Sequence, residues 1–172
     1  IQYREWIMLQ MHLSHYTSLL GSTTPVAPLD SCFLTKDPIL PTNLWYDLIK
    51  PVTNIEIKEA LFSIHSMKSP GPDSFSSGFF KASRGWWWWV VNNDFCDAVL
   101  DFFKNGSMLK QANATLFALI PKKMVVSSVL DFRPISCCTT FYKVISKIIT
   151  NRMKSVLLIL IGKEQGAFVD ER

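Results

Sequence analysis

Pro121 and Pro134 constrain this chain more than any other pair of residues. An apolar run, Leu116 to Ile120, stops at Pro121 and is followed by Lys122 and Lys123. Met124 to Leu130 carries no charge, and Asp131-Phe132-Arg133-Pro134-Ile135-Ser136 restarts an extended pattern. Proline has no backbone N–H, so neither segment is a central strand at its proline. Apolar runs bounded by turn residues predict two strands joined by a loop, with Lys122, Lys123 and Arg133 at the loop end. Lysine brings a mobile point charge and arginine a planar fork, a pairing suited to a polyphosphate. An ordinary surface hairpin with solvated charges has the same pattern, and spacing alone favours that reading.

The charge is unevenly spread. Residues 1–109 hold 8 basic and 10 acidic groups, whereas residues 110–172 hold 10 basic and 4 acidic groups. The C-terminal third is therefore the part that would face a polyanion, or else a solvated basic face. With 172 residues and 48% hydrophobic content the chain fits one globular domain, or a piece of a larger one. No apolar run approaches the ~20 residues that span a bilayer; the longest, Val156 to Ile161, is far shorter. Cys32, Cys96, Cys137 and Cys138 include no Cys-x-x-Cys pair. His12, His15 and His65 fall at no zinc-ligand spacing with them. We read Cys137 and Cys138 as small buried side chains and the protein as reduced and intracellular, nuclear or cytoplasmic. Ile1 and Arg172 are expected to lie inside a longer reading frame.

Local signals place the elements. Residues 1–20 suit an amphipathic helix, and Thr23 to Pro28 a linker. Cys32 to Ile49, broken by Pro38 and Pro41, reads as loop with at most a turn of helix. Thr53-Asn54-Ile55-Glu56 is a capping-box pattern in which the glutamate would reach back to the cap. Ile57, Ala60, Leu61 and Ile64 then share one helical face. Pro70-Gly71-Pro72 demands a tight loop, in which Lys68 and Asp73 are solvated turn residues or nucleic-acid contacts. Trp86 to Trp89 cannot all be buried on one face, and reads as a sequence accident in preference to a base-stacking platform. Val91 to Phe103 reads as a helix with Phe95, Val99 and Phe102 inside. Its Asp94, Asp97 and Asp101 form a solvated acidic face, and Asn105-Gly106 ends it. Phe141 to Ile161 reads as a long helix with Phe141, Val144, Ile145 and Ile148 in one stripe. Lys143, Lys147 and Lys154 lie on another face, either tracking a phosphate backbone or solvated. Arg152 projects from the apolar side and is expected to form a buried pair or to contact the remainder of a longer protein.

Several strings occur in a telling order: HYTSLLGS (15–22), MKSPGPDSFSSGFF (67–80), ALIPKK (118–123), DFRPISCC (131–138), FYKVISKIITNRM (141–153) and QGAFVDER (165–172). As an ordered set they resemble the fingers region of a reverse transcriptase, more narrowly that of plant non-LTR (LINE-type) retroelements. The resemblance implies an α+β fold, mostly helical with a β-hairpin, belonging to polymerase fingers with an incomplete palm. Residues 1–40 would be an N-terminal helix and linker, and 41–172 the N-terminal part of a reverse transcriptase domain. It implies that Lys122 and Arg133, with Lys123 as a lesser contributor, bind the triphosphate of a deoxynucleotide. Lys68, Gln165 and Arg172 would lie toward an RNA template paired with a DNA primer. The family uses magnesium held by palm aspartates that come after the point where this chain ends. None is expected in this chain, which alone would not polymerise. A non-catalytic nucleic-acid-binding remnant and a non-functional pseudogene product are the alternatives. Three features depart from the family pattern: Ser74 and Glu171 stand where it has glycine, and it does not call for the tryptophan run.

Overall fold

The computed structural model describes residues 2–23, 25–28, 39–82, 86–162 and 165. It is mixed α and β, with helices α1 (Gln2–Gly21), α2 (Thr42–Ile49), α3 (Asn54–Ser63), α4 (Ser77–Ala82) and α5 (Trp86–Asn105). Strands β1 (Thr115–Pro121) and β2 (Phe132–Cys138) follow, and then helix α6 (Thr140–Leu160). Contacts divide the chain into two compact units. One comprises residues 1–36 and 117–135, the other residues 37–116 and 136–172.

The larger unit holds the hydrophobic core. Ile57, Ala60 and Leu61 of α3, Phe95, Cys96 and Val99 of α5, and Val144, Ile145 and Ile148 of α6 are buried together. These are the stripes that the helical period sets out. Ile148 is 0% exposed, so its truncation to alanine costs about 2–5 kcal/mol. Thr53 caps α3, its Oγ1 accepting from Glu56 N at 3.3 Å. At the other end Lys81 Nζ donates to Phe62 O at 3.0 Å and to Ile64 O, satisfying carbonyls that the helix leaves unpaired. Gly106 ends α5 at φ +67, its N–H bonding Phe102 O at 2.8 Å.

Several expectations change. α2 is two turns of helix where loop with a turn of helix was expected, and Leu44 N–H bonds Pro41 O at 3.0 Å at its start. The helix expected from Val91 begins at Trp86: the tryptophan run contains no glycine or proline, so nothing in its backbone opposes the helix. The side chains of Trp86 to Trp89 lie outside the described residues. The Glu56 carboxylate is shared: Arg152 holds it, and the Thr53 backbone N–H at the cap also reaches it. Cys137 and Cys138 are half-buried and not buried, since β2 belongs to a two-stranded sheet with much exposed surface.

The Pro70-Gly71-Pro72 loop is seated against the start of α6. A Cβ on Gly71 would stand 2.5 Å from Thr139 N and 2.7 Å from Cys138 C, so no side chain fits there. Ser74 N–H closes the turn onto Gly71 O at 3.0 Å, and Asp73 Oδ1 accepts from Phe75 N at 3.2 Å. That is the expected Asx-type turn. Ser74 itself lies at φ 61, in the left-handed region that glycine tolerates best. Ser74 is therefore held in a strained backbone conformation, as expected if glycine suits this position.

In the smaller unit, α1 packs on the loop half of the hairpin. His12 meets Phe132 edge-on at 5.0 Å between ring centroids, and Tyr16 lies parallel to Phe117 at 6.4 Å. Two-stranded ribbons are marginal alone, so these ring contacts help to hold the hairpin.

Candidate nucleic-acid and phosphate interface

The hairpin places its three cations unequally. Lys122 N–H bonds Asp131 O at 2.7 Å, closing the loop just beyond the strand ends. Its side chain folds back, Nζ donating to Leu130 O at 2.8 Å. Lys123 Nζ pairs with Asp131 Oδ1 at 2.8 Å. Arg133 is exposed on β2 and makes no hydrogen bond or ion pair with the described residues.

Asp131 organises this loop. Its Oδ2 accepts from Ser127 N at 3.0 Å and from Ser128 N at 2.9 Å, while Ser128 Oγ accepts from Leu130 N at 3.3 Å. This is a capping box on a single 3-10 turn, Val129–Asp131. The Lys123 hydrogen bond, then the Ser127 and Ser128 amides, hold the Asp131 carboxyl at about 2, below its ordinary 3.8. Ser128-Val129-Leu130-Asp131 has capping-box spacing in the sequence, so this device was readable there and was missed. Lys123 is thus already neutralised, whereas Lys122 keeps two N–H groups and Arg133 its whole fork for a ligand.

The nucleic-acid candidates sort differently. Lys68, Lys143 and Lys147 line one groove of about 410 Å³ between the end of α3, the following loop and α6. Cys138, Tyr142 and His65 complete its wall, and among the described residues lining it there is no carboxylate. Lys143 Nζ donates to Ser69 O, which fixes it over the loop. The ammonium groups of Lys68 and Lys147 make no hydrogen bond or ion pair with any described residue, although Lys68 N–H bonds His65 O at 3.0 Å. Lys154 is exposed farther along α6, outside the groove lining. Gln165 N–H bonds Gly162 O at 3.1 Å and does not line it. Arg172 and Glu171 lie outside the described residues. Sequence reasoning found the three lysines but missed Tyr142 and His65. Tyr142, Ser146 and Thr150 recur at four-residue intervals and mark the same helical face.

Arg152 is committed to partners within the larger unit. It holds Glu56 with both ends of its fork, Nε to Oε1 at 2.8 Å and Nη2 to Oε2 at 2.8 Å. Its remaining N–H groups reach Leu48 O at 3.0 Å, Lys50 O at 2.6 Å and Pro51 O at 3.4 Å. The predicted buried partner is therefore present, and α2, α3 and α6 are clipped together. A cavity of about 660 Å³ adjoins it, lined by Glu56 and Arg152 together with Asp47, Glu59 and Asn151. The Arg152 hydrogen bond lowers the Glu56 carboxyl below its ordinary 4.5.

Among the described residues no group of three or more His, Cys, Asp or Glu side chains could hold a metal ion. Asp94, Asp97 and Asp101 are exposed along α5, and Asp101 accepts from Asn105. The described side chains do not fit a magnesium pair. No described helix is long and apolar enough to cross a membrane.

No protein-family model matches the chain. Over 161 residues it is 31% identical to the "Transposon TX1 uncharacterized 149 kDa protein" of Xenopus laevis. That match takes in 92% of this chain and 12% of the Xenopus protein, so the chain spans a small part of its relative's length. A match this extensive necessarily includes both the hairpin and the lysine groove. The chain is thus similar, along nearly all of its length, to part of a transposon protein.

Proposed function

We propose that this chain is retroelement-derived. In this reading it forms the fingers portion of a LINE-type RNA-directed DNA polymerase, carrying nucleotide-gripping groups without the palm aspartates. The observation that carries the reading is the similarity to a transposon protein over 92% of the chain. That span includes the hairpin whose ALIPKK and DFRPISCC strings resemble polymerase fingers. Lys122 and Arg133 are the groups that hold the triphosphate of a deoxynucleotide, for they retain donors that the fold does not use. Lys123 serves chiefly as the Asp131 clip. Charge-assisted bonds to phosphate oxygens orient the nucleotide and offset negative charge on the transferring phosphoryl group. Two-metal chemistry would be supplied by carboxylates outside these residues, and no step through magnesium is assigned to this chain.

Primer extension tests the reading. The purified chain, given oligo-dT on a poly-A template with magnesium and dTTP, extends no primer. Incorporation above a no-protein control would overturn the assignment of this chain as grip without catalysis.

A further inference from the structure

We propose that Asn105-Gly106, the link that ends α5, is a site where the chain modifies itself, and that the last turn of the helix gates the reaction. The side-chain amide of Asn105 is lost through a succinimide ring, with water as the co-reactant. This goes beyond the polymerase reading and does not rest on it, because every group used belongs to the larger unit.

The covalent structure identifies the reacting atoms. The chain holds a single Asn-Gly pair, at Asn105-Gly106. Ring closure brings the nitrogen of the following residue onto the asparagine Cγ, and a side chain on that residue would crowd the approach; glycine has none. Both residues are exposed, and nothing stands within 4 Å of the place that a Gly106 Cβ would take, so ring and water have room. Gly106 N gives up its proton and bonds to Asn105 Cγ, and the Cγ–Nδ2 bond breaks to release ammonia. Water then opens the ring. Cleavage of the new N–Cγ bond leaves aspartate. Cleavage at the main-chain carbonyl leaves isoaspartate, with the backbone rerouted through the side chain.

The fold holds both reacting groups back. Gly106 N–H is committed to Phe102 O at 2.8 Å, so its proton is protected. Asn105 Nδ2 donates to Asp101 Oδ1. Asn105 is also the last residue of α5, and a helical backbone does not bring Cγ onto the next nitrogen. Ring closure therefore waits for the last turn to open, and helix ends open at a small cost in free energy. The product keeps the turn loose. A carboxylate at position 105 replaces the donor to Asp101 with a second negative charge, at a helix C-terminus where the dipole also opposes it. Phe102 and Phe103 pack against the core from this same turn, so the modification weakens a packed element and not a free tail.

Incubation of the full chain in mildly alkaline, heavy-oxygen water tests this, with proteolysis and mass spectrometry of the fragment that spans Lys104 to Lys110. Aspartate and isoaspartate accumulate at Asn105, each carrying solvent oxygen, and the rate rises with pH because the Gly106 proton must leave. The folded chain reacts about tenfold more slowly than the same chain unfolded in urea, as a helix end that is open part of the time requires. Gly106→Ala, measured in urea so that folding plays no part, slows the conversion sharply. Asn105→Asp, which carries the charge of the product, lowers the folded-to-unfolded ratio about threefold to tenfold in urea melts. Conversion at Asn105 no faster than at Asn113, which precedes alanine, would overturn the site. Equal rates in the folded and unfolded chain would overturn the gate, and an Asn105→Asp variant as stable as the parent would overturn the effect on the helix.

Discussion

The Arg152–Glu56 clip yields the sharpest expectation about stability. Arg152 is 11% exposed and Glu56 23%, so both ions are largely removed from water. All the guanidinium N–H groups are used, two on the carboxylate and three on carbonyls of the α2–α3 connection. Replacing Arg152 with methionine keeps the aliphatic stem but leaves a half-buried carboxylate without its partner. Breaking such a pair costs about 3 kcal/mol, at the lower end for buried pairs because Glu56 retains some water. For a chain of this size that lowers Tm by roughly 6–12 °C. Glu56→Gln removes the charge but leaves oxygen and nitrogen in place, so it costs less, about 2 kcal/mol. The double variant falls well short of the sum, with a coupling of about 1.5–2 kcal/mol. The pH dependence has a definite sign. The Glu56 carboxyl is lowered in the folded state, so its contribution is complete above its ordinary value of 4.5 and is lost as pH falls through the folded value. Urea melts of the four proteins at pH 7 and pH 4 measure all of this. Additive single effects, or a coupling that grows on acidification, would refute the account of the clip.

Other expectations follow from the loops and thiols. Ser74→Gly relieves the positive φ and stabilises by about 0.5–1 kcal/mol in urea melts, part of the gain being offset by the looser unfolded chain. Gly71→Ala has the opposite effect and destabilises by more than about 2 kcal/mol, because its Cβ would meet backbone and not a yielding side chain. The amides of Ser127 and Ser128 stay protected from hydrogen exchange above pH 4. They lose protection between there and about pH 2, where the Asp131 carboxyl is held, and Asp131→Asn removes that dependence. Among the described cysteines, thiol labelling reaches Cys137 and Cys138 before Cys96, which is buried and whose thiol is pushed up by that burial.

The parts of this fold that repeat regularly were legible before any coordinates. Ile57, Ala60 and Leu61, and Val144, Ile145 and Ile148, lie inside because a 3.6-residue period leaves them little choice. Arg152 announced a partner because a charge on an apolar stripe must be paired, although only tertiary structure shows that the partner is Glu56. Thr53 caps as expected, and its glutamate serves both the arginine and the Thr53 backbone, a double use that the spacing alone does not show. The short helix α2 was foreseen only as a turn because Pro38 and Pro41 punctuate the segment, whereas proline just before a helix is compatible with its start. The lysine groove was half visible. Lys143 and Lys147 share a face by spacing, but Lys68 joins them through a loop, and Tyr142 has no motif of its own. The inequality among Lys122, Lys123 and Arg133 was out of reach, since it depends on where the Asp131 carboxylate turns.

Equilibrium dialysis of labelled dTTP against the chain tests the central claim most directly. The account predicts that dTTP is retained, that unphosphorylated thymidine is not, and that Lys122→Ala/Arg133→Ala loses at least about tenfold in dTTP affinity. Lys123→Ala alone leaves that affinity within about threefold. Retention of dTTP unchanged by the double variant, or equal retention of thymidine, would contradict it.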